Sequence, residues 1–336
     1  MTFISRRRAL KTLFCSSAAL GLNLTSRRVA ADDINAASDQ HFMIVGDFGS
    51  MDKSQDAVAA GMIRYVQTHS LKPHGLWLLG DNFYKELKGG VDSPRWKTGF
   101  EDLYPATSFP GPCWSMLGNH DYHDTIDGEI AQLTYAEKHP GTRWKMPAKW
   151  YRVDWPAVKP IVTFLVLDTN WRSINEPMHK SSIGKRPPWY LSEEEEKTQD
   201  AWLKAELAKP RTAPFLVCAG HHPFYTNGPA GDTKPLVEKW GPLFQSGGVH
   251  LYLCGHDHDL QHIELEGLKT SYVVSGAGGA RLTEIKSKRT SPFGKAVFGF
   301  SQLQADSKRL LLRHMDANGQ QLHAFSKTTD GKVTIL

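Results

Sequence analysis

The sequence predicts an α/β protein whose chemistry lies at the C-terminal ends of its strands. Short, continuous apolar runs recur along the chain, and most end abruptly in Gly followed by Asp, Asn or His. Runs of that length bounded by glycine read as buried strands, and the residues just beyond them are where open α/β sheets place ligands. Between the runs lie stretches with apolar residues at helical spacing. With 336 residues and 40% hydrophobic content the chain can bury a full core, and no repeat, low-complexity linker or break in composition divides it.

The first element is a leader. Met1 to Ala31 begins basic, passes through a weakly apolar run from Leu13 to Leu24 and ends in the small residues Ala30 and Ala31, the layout of an export signal. The run is too short to span a bilayer, so no stable membrane anchor is expected. Ser5-Arg6-Arg7-Arg8-Ala9-Leu10-Lys11 is similar to the twin-arginine export motif, with Ala9 where a bulky apolar residue is more usual. That route carries folded proteins. The expectation is an exported protein, periplasmic or extracellular, engaged by export machinery through residues 1–31, with residues 32–336 forming a single domain. The leader holds Arg6, Arg7, Arg8, Lys11, Arg27 and Arg28 and no acidic residue, so without these six the formal net charge falls from +5 to −1. A nearly neutral mature chain has no basis for binding a polyphosphate backbone, and no nucleic acid partner is expected. Cys15 falls in the leader, while Cys113, Cys218 and Cys254 each sit in an apolar run. They read as buried small hydrophobes, not as a disulfide or zinc-thiolate framework.

The strand runs follow in order. Phe42 to Val45 precedes Gly46-Asp47, Leu76 to Leu79 precedes Gly80-Asp81, and Trp114 to Leu117 precedes Gly118-Asn119-His120. Ile161 to Leu167 precedes Asp168, Phe215 to Ala219 precedes Gly220-His221, and Leu251 to Cys254 precedes Gly255-His256. After the first run, Ser54 can cap a helix to about Thr68, with Val58, Met62, Ile63 and Val66 at helical spacing. Ser192 precedes four glutamates and then Trp202, Leu203 and Leu207, which puts acid at the positive end of a helix dipole. Leu236, Val237, Trp240, Leu243 and Phe244 make a third apolar face that ends before Gly247-Gly248. From Ala296 to Leu336 the pattern alternates, with turn signals at Asp306-Ser307 and Asn318-Gly319, and predicts antiparallel strands.

The strand ends offer Asp47, Asp81, Tyr84, Asn119, His221, His256 and His258 as oxygen and nitrogen ligands. Seven is too many for one ion, since a single catalytic zinc takes about three protein ligands. A pair of ions sharing a carboxylate uses about this many, with Asp81 as the bridge. Asp168 and Asn170 also follow a strand but extend no such block, and they read as hydrogen-bonding structural residues. His123, His250 and His262 are read the same way, and Trp144, Trp150, Tyr151 and Trp155 as packing residues.

Gly46-Asp47-Phe48-Gly49, Gly80-Asp81-Asn82-Phe83-Tyr84, Gly118-Asn119-His120-Asp121, Gly220-His221 and Gly255-His256-Asp257-His258 resemble the five ordered metallophosphoesterase blocks of the purple acid phosphatases. Tyr84 carries the distinction, because other metallophosphoesterases generally lack a phenolate ligand in the second block. The resemblance spans about Phe42 to Gly279 and is to the compact, tartrate-resistant form. It implies a two-sheet β-sandwich flanked by helices (α/β/β/α), with the metal site at the C-terminal ends of the strands, and one metallophosphoesterase catalytic domain over residues 32–336. It puts Asp47, Tyr84 and His258 on a first metal, Asn119, His221 and His256 on a second, and Asp81 on both. Two carboxylates and a phenolate suit ferric iron, and an amide with two imidazoles suits a divalent ion. The resemblance implies Fe(III) with Fe, Zn or Mn.

The activity so implied is hydrolysis of phosphate monoesters, on small molecules or proteins, at acidic pH. Metal-bound hydroxide would attack phosphorus in line, and His120 would protonate the leaving group. Compact relatives often carry a second histidine just before a Gly-Asp pair, where this chain has Ala230 before Gly231-Asp232. His222 adjoins a ligand, but strand alternation would turn it away, and it is left out of the site. Two other readings stay open: a phosphodiesterase or nucleotidase with the same site, and a non-catalytic exported binder of metal or phosphate. Residues 85–104 and 170–190 are the expected specificity loops.

Overall fold

Each apolar run of the sequence becomes a strand, and the strands fall into two sheets. The computed structural model describes residues 39–178, 189–286 and 288–336; the expected export signal, residues 1–31, lies outside them. Strands β1 (Gln40–Val45), β2 (Gly75–Leu78), β3 (Cys113–Ser115) and β4 (Trp144–Lys145) run parallel, side by side, in the first sheet. The chain then builds the second sheet from β5 (Tyr151–Trp155), β6 (Val162–Val166), β7 (Phe215–Ala219), β8 (Leu251–Cys254), β9 (Leu260–Ile263), β10 (Ser271–Ser275) and β11 (Phe293–Lys295). Its spatial order is β11-β9-β10-β8-β7-β6-β5, with β6, β7, β8 and β10 parallel. The chain returns to the first sheet through β12 (Gly299–Ala305), β13 (Arg309–Asp316), β14 (Gln321–Thr328) and β15 (Val333–Ile335), an antiparallel extension laid against β1. The tail thus pairs as its alternation predicts, turning at residues 306–308, where the Asp306 carboxylate accepts the Lys308 N–H at 2.6 Å.

Side-chain alternation sorts each strand between two apolar layers. Phe42 and Ile44 of β1 join Trp77, Phe164, Val217 and Leu253 in the layer between the sheets. Trp77 reaches across to Phe164 with ring centroids 4.4 Å apart. Met43 and Val45 point the other way, beneath α1 (Lys53–Thr68) and its Val58, Met62 and Val66. The short helices α2 (Asn119–His123), α3 (Gly128–Lys138) and α4 (Arg172–Met178) come next in the chain. Helices α5 (Glu193–Ala208) and α6 (Lys234–Gly247) supply Leu203, Trp240 and Phe244 to a layer with Cys218 and Tyr252 of the second sheet. The result is the helix–sheet–sheet–helix sandwich that the resemblance implies. Cys113, Cys218 and Cys254 are free and buried. Among the described residues no helix is long and apolar enough to cross a membrane.

Ser192 caps α5 as expected, in a capping box where its Oγ accepts the Glu195 N–H at 3.3 Å and Glu195 accepts the Ser192 N–H at 2.8 Å. Ser54 does not cap α1. The helix begins one residue before it, with Asp52 at the N-cap, and the Ser54 hydroxyl donates instead to the Gly279 carbonyl at 2.6 Å.

Away from the strand ends, three histidines tie the sheets together. His262 of β9 lies with its Nδ1 3.0 Å from His323 Nε2 of β14, and His314 of β13 lies 3.2 Å from the Gln261 carbonyl. His323 stacks on Phe293 at 4.8 Å and His262 on Phe325 at 3.6 Å. Burial, and then the neighbouring His262, lowers His323 from its ordinary 6.5 to about 4. Burial likewise lowers His262 and, with His323, holds His314 well below its usual range. A histidine depressed in the folded state charges first in the unfolded chain, so stability is lost as pH falls below 6.5 towards about 4. Thermal unfolding at stepped pH should show a falling Tm over that interval, and a shallower fall in His323→Phe. Equal slopes would show that the cluster does not charge on unfolding.

Candidate metal centre

The seven expected ligands gather where the C-terminal ends of both sheets meet. Asp47, Asp81 and Asn119 follow β1, β2 and β3 of the first sheet; His221, His256 and His258 follow β7 and β8 of the second. Asp47, Asp81 and His256 adopt φ of 56°, 51° and 70°, the left-handed region that non-glycine residues avoid. The bend turns each side chain sharply off its strand. The preceding glycines answer a second need, close approach. A Cβ at Gly118 would lie 2.2 Å from Asp81 Oδ1, and one at Gly255 would lie 2.2 Å from Asp47 Oδ2. The carboxylates sit that close because they accept the next backbone N–H groups: His120 N–H to Asp81 Oδ1 and His256 N–H to Asp47 Oδ2, both at 2.9 Å.

Two clusters form around Asp81. In the first, the Tyr84 hydroxyl lies 3.1 Å from Asp47 Oδ1 and 3.0 Å from His258 Nε2. In the second, Asn119 Oδ1 lies 2.9 Å from His256 Nδ1 and 3.1 Å from His221 Nε2, and those two nitrogens face each other at 3.3 Å. Ligand atoms of Asp47, Asp81 and His221 all lie within 4.8 Å of one another, which puts Asp81 between the clusters. His221 Nδ1 lies 2.9 Å from the Leu79 carbonyl and His258 Nδ1 lies 2.6 Å from the Arg281 carbonyl. Each ring donates there and turns Nε2 inward, the tautomer that a metal requires.

This donor set fits a pair of ions. Nitrogen and oxygen atoms about 3 Å apart are spaced like adjacent ligands on one ion with bonds of about 2.1 Å. Without metal the charges balance poorly. Burial lowers His221, but Asp81 outweighs it and raises the ring to about 10; burial lowers His258, but Asp47 raises it to about 9. Those protons occupy positions where cations would stand. Burial, and then His221, keeps His256 neutral, well below its usual range. Burial, with Asp47 and Asp81, holds the Tyr84 phenol well above its range, so phenolate forms only against strong positive charge.

His120 stands beside the pair. Its Nδ1 lies 2.9 Å from Asp124 Oδ2, and its ring lies 4.5 Å from that of Tyr84. Burial lowers it, but Asp81 and then Asp124 outweigh burial and raise it to about 8. Asp168 and Asn170 are buried and structural, as read: Asp168 accepts the Tyr122 hydroxyl at 2.6 Å, and Asn170 donates to the Leu117 carbonyl at 3.0 Å. Both bonds brace the loop that presents Asn119.

Three residues act as supports, a role that the motifs did not assign to them. Asp121 accepts N–H groups of Gly118, Asn82 and Phe83 at 2.8 to 3.2 Å and the Gln132 amide at 2.7 Å, clamping the Asp81 loop to the Asn119 loop. Arg95 donates to the Tyr84 carbonyl at 2.8 Å and the Gly49 carbonyl at 2.9 Å, joining the Asp47 and Tyr84 loops. His222 also lies nearer than alternation predicts. The strand ends at Ala219, so alternation has lapsed, and the ring packs 4.6 Å from that of His256 while Nδ1 faces Thr169 Oγ1 at 2.9 Å. A buried Thr-His pair has no signature at the spacing of Thr169 and His222.

The calcineurin-like phosphoesterase family matches over residues 38–260. The tartrate-resistant acid phosphatase type 5 of Oryctolagus cuniculus is 32% identical over 297 residues, 84% of this chain and 88% of its own. Among solved structures, GAP50 of Plasmodium, described as the anchor in the inner membrane complex, superposes with a TM-score of 0.65 at 23% identity, over 85% of this chain and 87% of its own. The purple acid phosphatase PPD1 from yellow lupin (Lupinus luteus) seeds superposes at 0.62 and 20% identity, over 87% of this chain and 54% of its own. Both structural likenesses are of fold.

Arg95 gives a test of the loop support. Arg95→Met should lower metal affinity at the cluster of Asp47, Tyr84 and His258 by about 10- to 100-fold if that cluster takes an ion, as loss of an outer partner does. Metal retention on dialysis against a chelator measures it; unchanged retention would show that the loops hold without the guanidinium.

Proposed function

Since this chain belongs to the calcineurin-like phosphoesterase family, and within it to the tartrate-resistant, purple acid phosphatases, we propose that it hydrolyses phosphate monoesters, under acidic conditions, with ferric iron paired with divalent iron, zinc or manganese. Metal-dependent phosphoester hydrolysis follows from the membership itself; the identity of the ions, the proton donor and the working pH are our reading. The observation that carries it is the contact of the Tyr84 hydroxyl with both Asp47 and His258, at 3.1 and 3.0 Å, opposite an amide and two imidazoles. A hard, anionic set and a softer, neutral set share Asp81, which favours two unlike ions over a matched pair.

When bound, the two ions supply a water acidified into a nucleophile and positive charge that offsets the phosphoryl oxygens. Asp47, Tyr84 and His258 would hold the ferric ion, Asn119, His221 and His256 the divalent one, and Asp81 both. His120 gives its proton to the leaving alkoxide. Asp124 on Nδ1 leaves Nε2 as the donor atom, Tyr84 packs against the ring, and 31% exposure of the side chain lets a substrate oxygen reach it. The substrate is a phosphomonoester of a small molecule or protein. In the same reading the protein is exported by way of residues 1–31, and N-terminal sequencing of the mature form should begin after Ala31.

Aerobically purified protein should show a broad visible band and a purple colour that Tyr84→Phe abolishes. A colourless, metal-replete wild type that still hydrolysed phosphate esters would remove the ferric ion and keep the two-metal chemistry. His120→Ala should lower kcat by about 10²-fold or more for alkyl phosphates, whose leaving groups need a proton, and far less for a nitrophenyl phosphate. Equal losses on both substrates would end its assignment as the donor.

A further inference from the structure

His120, His123 and Asp124 form a second group of metal-binding side chains at the rim of the centre, apart from the seven ligands above. Spacing by three and four residues puts two imidazoles and a carboxylate on one face of the turn made by α2 and its C-cap, Asp124. The carboxylate divides itself between the rings: His120 Nδ1 lies 2.9 Å from Oδ2 and His123 Nδ1 lies 2.9 Å from Oδ1. Ligand atoms of all three residues lie within 4.8 Å of one another. Each group is held in place. His120 packs on Tyr84 at 4.5 Å, His123 meets Trp189 edge-on at 5.1 Å, and Asp124 accepts the Lys85 N–H at 2.6 Å. All three reach solvent, with side chains 31%, 24% and 16% exposed. Two imidazoles and a carboxylate, with one side open, make the donor set from which zinc takes three protein ligands and keeps a fourth position for water.

We propose that this cluster is an inhibitory zinc site, in which one Zn²⁺ bound by His120, His123 and Asp124 withdraws the proton donor from the reaction. The inhibition, though not the binding, rests on the role of His120 proposed above. Zinc displaces the N–H···O contacts that the two rings make with Asp124, and the protons on the two Nδ1 atoms pass to solvent. The metal-bound ring of His120 then no longer releases a proton to a leaving oxygen as an imidazolium does. The site differs from the binuclear centre in being built from one turn of chain and open to solvent, so it fills and empties without disturbing the seven ligands.

The test uses protein whose binuclear centre is already loaded, dialysed against buffered zinc, with wild type beside His123→Ala. Wild type should retain about one zinc per chain more than the variant, and the inhibitory zinc concentration should rise at least about tenfold in the variant, while kcat/KM without added zinc stays within about twofold. Both proteins carry the same binuclear centre, so metal exchange there is common to the two and cancels. Equal retention overturns the site. Unequal retention with equal inhibition overturns its inhibitory role. Dialysis reads binding without turnover, so the site stands or falls even if the chain hydrolyses no phosphate ester.

Discussion

Two carboxylates that the fold forces together set the terms for this protein. Asp47 and Asp81 are buried, at 0% and 1% exposure, with ligand atoms inside the same 4.8 Å group. Two unit charges that close repel by about 3 kcal/mol even at an effective dielectric of about 20, before the cost of burying either is counted. Their ion pairs are with histidines, His258 on Asp47 at 3.4 Å and His221 on Asp81 at 3.5 Å. Cations at the centre therefore relieve a charge problem that protonated imidazoles only partly answer. The same pressure reaches Tyr84, whose phenol faces both carboxylates and ionises only when that charge is met.

The sandwich holds this arrangement against repulsion. Neither sheet alone could, because the first supplies oxygen donors and the second supplies imidazoles. The apolar layer running through Phe42, Trp77, Phe164, Val217 and Leu253 locks the two edges in register. Left-handed conformations at Asp47, Asp81 and His256 cost energy that this packing outweighs, since the carboxylates gain backbone N–H partners by bending. Asp121 and Arg95 then join neighbouring loops to one another, so the ligands are placed relative to each other as well as to their own strands.

One turn of chain concentrates several tasks. Asn119 meets His256 in the candidate centre, His120 stands beside it, Asp121 clamps two loops, Tyr122 bonds to Asp168, and His123 and Asp124 share a carboxylate contact at the rim. A helix this short turns successive side chains to every side, so one segment serves the centre, the core and the solvent face. The acid-sensitive histidines of β9, β13 and β14 lie on other strands. Stability at low pH thus draws on residues other than those of the candidate centre.

The sequence by itself determined the strands, their glycine-bounded ends and the seven candidate side chains that the structure brings together beyond them, because each is a local event: an apolar run, a turn and a polar side chain beside it. It also determined the Ser192 cap and the alternating tail, which are short-range patterns. Tertiary structure decided the rest. Ser54 lost its capping role to a carbonyl 225 residues away, and His222 came to lie against His256, 34 positions on, once the strand had ended. The reach of Arg95 to carbonyls of two loops and the sharing of Asp124 between two rings depend on how loops meet in space. A sequence pattern reports which groups a strand end offers; only the packed sheets fix which of them face one another.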